Sequence, residues 1–322
     1  MTTRRITSVA IACAVATLVL AAVTLASLAL GSRQIAPDVV WDALVNGGAS
    51  QDAQVVTHLR VPRTVAALVI GGALGLAGSI MQAMTRNPLA DPGVLGINAG
   101  AAFLVVTVTA ASGVATRAAT LGASLLGAGV AAGLVFAMSG SGGGSRSAGI
   151  AVSAALASLT QAVLAANQYA FNEFRYWASG SLEGVDMASV VSAGAVIAGG
   201  AVVALLITSA LGVLALGDDA AVSLGIRVLG VVAVTALAGG ATALGGPLTF
   251  VGLAVPLMVR RIVGARQGAI ALWSIVVGAA WVCGADVASR LVLAPAEVPV
   301  GVIVALIGAP FFILGARGKG MS

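Results

Sequence analysis

Asp286 and Arg290 stand four residues apart near the end of an apolar run, the spacing at which two side chains meet on one helix face and pair. Charges inside such a run are costly, which makes them functional candidates. Arg60 and Arg63 flank Pro62. Arginine's planar fork grips a carboxylate through two hydrogen bonds, so these residues suit recognition of an acidic partner rather than bond-making. The remaining inventory points away from catalysis. His58 is the only histidine and reads as a solvated loop residue. Cys13 and Cys283 both sit inside apolar runs, with no metal-ligand partner at useful spacing and no expected disulfide. No nucleophile–base pair or metal set can be assembled, so no catalytic and no metal-binding residue is assigned. The stretch SGSGGGSRS at 139–147 lacks the lysine of a phosphate loop and reads as a flexible connector. No G-x-x-x-x-G-K-[ST] occurs anywhere. Any ATP used must be hydrolysed on another chain.

The elements that must position these residues are apolar. Of 322 residues, 59% are hydrophobic and 8% charged, against about 25% charged in a soluble domain. Mean hydropathy is +1.08. A soluble enzyme is excluded. The net charge of +5 comes from basic residues scattered between apolar runs, which set topology and give no nucleic-acid footprint. Runs at 6–30, 64–84, 93–111, 118–138, 148–166, 190–211, 228–243, 248–259, 269–293 and 300–314 predict about ten transmembrane helices. The expected fold is all-α: one polytopic membrane domain over residues 1–322. The first run is too long for the apolar core of a signal peptide. The run 248–259 is about 18 Å as a helix, short of the ~30 Å hydrocarbon core, and reads as a short or broken span. Counting it as a crossing places Arg4, Arg5, Arg86, Arg146, Arg227, Arg260, Arg261, Arg266, Arg317 and Lys319 inside, and Arg33, Arg60, Arg63, Arg117, Arg175 and Arg290 outside. Both termini are then cytoplasmic. Pro37–Leu44 reads as a short helix with Trp41 at the membrane interface. Phe171, Phe174, Tyr176 and Trp177 read as an interfacial aromatic belt.

Within the second run, Gly71, Gly75 and Gly78 lie near one helix face, as in closely packed membrane helices. Ala73 and Ala77 are candidates for a small, apolar path wall. Gln82 is an amide near the end of this helix, where it must find a bond to a neighbouring helix or to the following turn. That turn, Arg86-Asn87-Pro88-Leu89-Ala90-Asp91-Pro92, is stiffened by two prolines. A short helix is expected within 212–227, started by Asp218 or Asp219 and closed by Gly225. A weak internal echo links Asn87-Pro88-Leu89 with Gly246-Pro247-Leu248.

Taken in order, R-x-P-R at 60–63, Gln82, R-N-P-L-A-D-P at 86–92, G-x-L-G-I at 93–97, Gly100-Ala101, L-G-x-x-x-A-x-x-L-G at 216–225, A-D-x-x-x-R at 285–290 and E-x-P-x-G at 297–301 resemble the FecCD-type permeases. Those are the membrane subunits of bacterial importers for iron-siderophores, haem and vitamin B12. The likeness covers roughly residues 37 to 314. Where that family has G-P-x-x-F-x-G-L-x-x-P-H-x-x-R, residues 246–260 match except that Leu257 replaces the histidine. The resemblance implies a type II ABC importer permease in the bacterial cytoplasmic (inner) membrane. Its implied partners are a second permease subunit, identical or paralogous, two ATPase subunits carrying ATP and Mg, and an extracytoplasmic binding protein. It implies binding-protein docking by Arg60, Arg63 and Arg290, and ATPase coupling through Leu216, Gly217, Asp219, Ala221, Leu224 and Gly225. Ala73, Ala77, Gln82, Asn87 and Pro88 are its path or gate candidates, and this chain itself needs no cofactor. The implied cargo is a ferric siderophore, with vitamin B12 or haem as the alternative. An ion-coupled secondary transporter is the remote rival, because the span centres carry almost no ionisable group.

Overall fold

The computed structural model describes residues 3–31, 35–47, 50–139, 145–211 and 225–317, and every regular element among them is helical. The chain runs through α1 (Thr3–Ala29), α2 (Pro37–Asn46), α3 (Gln51–Gln54), α4 (Val61–Thr85), α5 (Ile97–Ser112), α6 (Arg117–Ser139) and α7 (Ser145–Ala166). It continues through α8 (Gln168–Ala178), α9 (Met187–Thr208), α10 (Ile226–Gly245), α11 (Val251–Val263), α12 (Gln267–Leu291) and α13 (Val300–Arg317). Among the described residues, seven helical stretches are long and apolar enough to cross a membrane. The three other expected spans fall on α5, α11 and α13. The connector read at 139–147 has helix at both ends, and its middle lies outside the described residues.

Helix α2 forms where it was expected, with Pro37 in its first turn, where the missing N–H is harmless. His58 is not in a loop. It is exposed in a π-helical segment, Val55–Arg60, that joins α3 to α4 as one continuous rod from Gln51 to Thr85. Pro62 has no N–H for the carbonyl one turn back, and the wider π turn precedes it.

Helix α4 is the centre of the bundle, packed along α12, α10, α11 and α9. Its glycines make this possible. A Cβ at Gly71 would overlap the Gly278 carbonyl, one at Gly75 the Ser274 carbonyl, and one at Gly78 the Gly252 carbonyl. The expectation of close packing at these three positions is met by backbone lying on backbone. Gly100 of α5 and Gly127 of α6 repeat the device, each against the other's carbonyl.

Two spans are broken. Helix α11 has only 13 residues and begins beside Gly78 and Leu74, not beside the Arg63 end of α4. Pro256 offers no N–H to the Gly252 carbonyl, and that carbonyl rests on Gly78 instead. Helix α5 has 16 residues and follows a short 3-10 turn, Pro92–Leu95. Pro92 itself lies against Gly252. The starts of the two short helices therefore meet. Each is preceded by one copy of the echo seen in the sequence, Asn87-Pro88-Leu89 before α5 and Gly246-Pro247-Leu248 before α11. Non-helical backbone inside such a bundle is tolerable only where protein covers it.

Gly71→Leu is expected to force α4 and α12 apart, at a cost of at least about 1–3 kcal/mol. Gly122 of α6 has nothing within 4 Å of its would-be Cβ, so Gly122→Leu should be tolerated. Thermal unfolding and size-exclusion profiles in detergent check the pair.

Candidate functional site

At the Arg63 end of α4 a set of charges is gathered around one buried carboxylate. Asp286 of α12 has an exposure of 0%. Its Oδ1 accepts from Arg63 Nε at 2.8 Å, and its Oδ2 pairs with Arg290 Nη2 at 2.9 Å. The i,i+4 pair read from the sequence is formed, with Arg63 added from another helix. Arg63 Nη1 continues outwards to Glu297 Oε2 at 2.7 Å, in the loop between α12 and α13.

Arg290 and Arg60 are turned inwards. Arg290 donates to the carbonyls of Ser27 and Leu30, at 3.0 Å each, and to Ser27 Oγ at 2.8 Å. Arg60 Nη1 donates to the Leu28 carbonyl at 2.7 Å. These carbonyls end α1, where a helix leaves its last acceptors unpaired and its dipole favours a cation. Arg60 is 6% exposed and Arg290 3%. Both of these expected docking residues are thus buried in the chain by itself. Both hold the end of α1, Arg290 also pairs with Asp286, and neither is more than 6% exposed. Among the three expected docking arginines, Arg63 alone leads to the surface, through Glu297.

Beside this cluster lie α8 and its loop. Tyr176 of α8 donates its hydroxyl to Glu183. A cavity of about 190 Å³ opens there, lined among others by Thr109, Arg117, Tyr176, Trp177, Glu183 and Gly246. The loops following α8 and α10 and the first turn of α13 are joined through three glycines. Gly301 N donates to Gly180 O at 3.0 Å. A Cβ at Gly246 would overlap the Trp177 carbonyl, and one at Gly301 would lie 2.5 Å from the Ser179 carbonyl. Gly180 and Gly246 also have φ of +70° and +73°, which glycine adopts without strain.

The residues expected at the other end of α4 are placed differently from one another. Gln82 is 2% exposed, and its Nε2 donates to the Leu253 carbonyl of α11 at 3.1 Å. It bonds a neighbouring helix, one of the two partners anticipated. Asn87 and Pro88 are half-buried. Asn87 Oδ1 accepts from Leu89 N at 2.9 Å, closing the turn on itself. Ala73 and Ala77 are buried, at 3% and 0%. Both sit in the packed core, where the faces of α4 are covered by neighbouring helices. Leu257 is half-buried on α11. Of the expected coupling residues, Leu216, Gly217, Asp219, Ala221 and Leu224 lie outside the described residues. Gly225, at φ +65°, precedes α10. Both cysteines are free.

The family model of the FecCD transport family matches residues 18–317. The chain belongs to the FecCD transport family. It is 40% identical to the ferric enterobactin transport system permease protein FepD of Escherichia coli, over 94% of this chain and 93% of that protein. It is 37% identical to the Fe(3+)-citrate import system permease protein YfmD of Bacillus subtilis, over 86% and 84%. With the hemin transport system permease protein HmuU of Yersinia pestis it shares 32% identity, over 92% of each. Among solved structures, a metal-chelate type ABC transporter in an inward-facing conformation superposes with a TM-score of 0.81 at 25% identity, covering 94% of this chain and 97% of that one.

This FecCD member also has a surface that the sequence did not single out. Ala151, Ala154, Ala155, Ser158, Gln161 and Ala162 are all exposed along one face of α7. The exposed faces of α6 and α9 instead carry Leu126, Val130, Leu134, Val191, Val202 and Leu206. An amide facing acyl chains would be costly, which separates the α7 face from those two. The signal was present as Ser158 and Gln161 within an otherwise apolar run. Alanines on a lipid face and on a protein or water face read alike in sequence, however.

Removing the carboxylate at the centre should be severe. Asp286→Asn leaves Arg290 buried without its anion and is expected to cost about 3–5 kcal/mol. Arg63→Gln should cost less, because its outer arm is partly wet. Denaturation midpoints of the two variants in detergent give the order.

Proposed function

We propose that this chain is the membrane-spanning permease subunit of a binding-protein-dependent ABC importer carrying a ferric siderophore into the cell. The 40% identity to FepD along nearly the whole of both chains carries this reading. Energy is supplied by ATP, with Mg, on two separate ATPase subunits, and a second permease subunit completes the path. The setting is the bacterial inner membrane with both termini cytoplasmic. Charge supports that orientation. Arg86 caps α4, Arg260 and Arg261 lie in the last turn of α11 and Arg266 precedes α12, all at the Thr85 end of the bundle, and Arg227 opens α10 where Gly230 packs on Met84 of α4. The Thr85 end is then cytoplasmic, and the Arg63 cluster with α8 faces outwards.

From this orientation the remaining roles follow. Residues 212–227, with Leu216, Gly217, Asp219, Ala221, Leu224 and Gly225, form the cytoplasmic coupling loop that docks the ATPase. Arg63 and Glu297 mark the docking site of the binding protein. The small, amide-bearing face of α7 lines the path with the second permease, because it offers room and modest polarity without a strong binding group. Affinity is already provided by the binding protein. Haem is the second reading, supported by the likeness to HmuU.

Proteoliposomes holding the permease, ATPase and binding protein should take up a radiolabelled ferric siderophore only with ATP. Uptake driven by an ion gradient without ATP would overturn the assignment. Preference for haemin or cobalamin in the same vesicles would change the cargo alone. For the path, Ser158→Trp is expected to express normally yet cut uptake at least tenfold, whereas Ala77→Trp should lower expression. Normal uptake by well-expressed Ser158→Trp would place the path elsewhere.

A further inference from the structure

The charges of the Arg63 cluster balance in a way that leaves one member replaceable. Arg60, Arg63 and Arg290 face Asp286, Glu297 and Asp52, the last acting on Arg60. Asp286 is fully buried and doubly paired. Asp52 lies in α3, on the rod that continues into α4. Glu297 differs from both. Its side chain is 26% exposed against 11% for Arg63, and it lies in the loop between α12 and α13, where Val292 to Glu297 are all exposed. Its bond to Arg63 is one arm of a fork whose other donor holds Asp286.

We infer that Glu297 is an internal stand-in for a carboxylate of the docking protein. On docking, that carboxylate takes Nη1 of Arg63 and Glu297 is released. Charge is conserved one for one, so Asp286 and the clamp on α1 are undisturbed. An added cation on the partner would instead have to compete with Arg63 for Glu297. Release also has a route inwards. Glu297 lies three residues before α13, and Gly301 in the first turn of α13 is bonded to Gly180 behind α8. Freeing the loop loosens the tie between α13 and the α8 turn that borders the outer cavity. Docking is thereby converted into a change at the outer mouth. This inference rests on the importer reading and adds the exchange at Arg63.

The test measures affinity of this importer's binding protein for the complete transporter in nanodiscs, at two salt concentrations. Glu297→Gln removes the competitor while keeping the side-chain shape. Binding should tighten about three- to fivefold, the size expected for a partly exposed ion pair. Glu297→Asp keeps the charge but shortens the reach, and should give a smaller gain. Arg63→Gln should weaken binding and, combined with Glu297→Gln, abolish the gain. Raising salt should weaken binding in every variant that keeps Arg63. Unchanged affinity in Glu297→Gln would overturn the exchange. So would weaker binding, which would make Glu297 itself the partner's contact. Absence of binding by the unmodified transporter would overturn the importer reading instead.

Discussion

Backbone-to-backbone contact along α4 is the constraint on which the rest of this bundle depends. In a bilayer, helices gain little from burying apolar side chains against one another, since lipid is equally apolar. Association rests on close packing and on polar contacts. Gly71, Gly75 and Gly78 let α12 and α11 lie with their carbonyls on the α4 backbone. That approach fixes the height of α12 along α4, and so brings Asp286 level with Arg63. A wider spacing at the glycines would pull apart an ion pair whose members are 223 residues apart in the chain.

The broken helices depend on the same contact. Helix α11 can start in the interior only because its first turn is covered, by Gly78 on one side and Pro92 on the other. Gln82 then supplies a hydrogen bond to the Leu253 carbonyl. Gln267 does the reverse for α4, donating to the Ser79 carbonyl at 2.9 Å. Both acceptors lie within helices, so these side-chain amides act as ties between neighbouring helices. These amides read as isolated polar residues in the sequence, yet each has a backbone partner.

What the sequence disclosed follows from this physics. Hydropathy located all ten long or shortened helices, because a span must be apolar whatever it packs against. Counting residues exposed α11 as too short, and the i,i+4 spacing found Asp286 with Arg290. Glu297 and Arg63 were both noticed in motifs but not joined, since nothing local connects positions 234 apart. The targets of Arg60 and Arg290 were invisible for another reason. They are backbone carbonyls at the end of α1, and backbone carries no residue code. The surroundings of Ala73 and Ala77 were not legible because a small side chain suits a packed interface and an open path equally well. Only the neighbours decide, and here they are α12, α10 and α11.

The two ends of the bundle are built to different tolerances. At the Arg63 end, most donors in the cluster are held by partners that cannot leave: a buried carboxylate and the carbonyls closing α1. Such groups are expensive to separate, because each would remain buried and uncompensated. They give that end a rigid base. Glu297 is attached to the base by a single partly exposed ion pair, the kind worth little and easily exchanged. Rigidity beneath one weak surface contact leaves this loop able to move without disturbing the helices that carry it. The glycine junction of Gly180, Gly246 and Gly301 then sets where that loop can transmit motion, since two loops and the start of α13 meet there backbone to backbone.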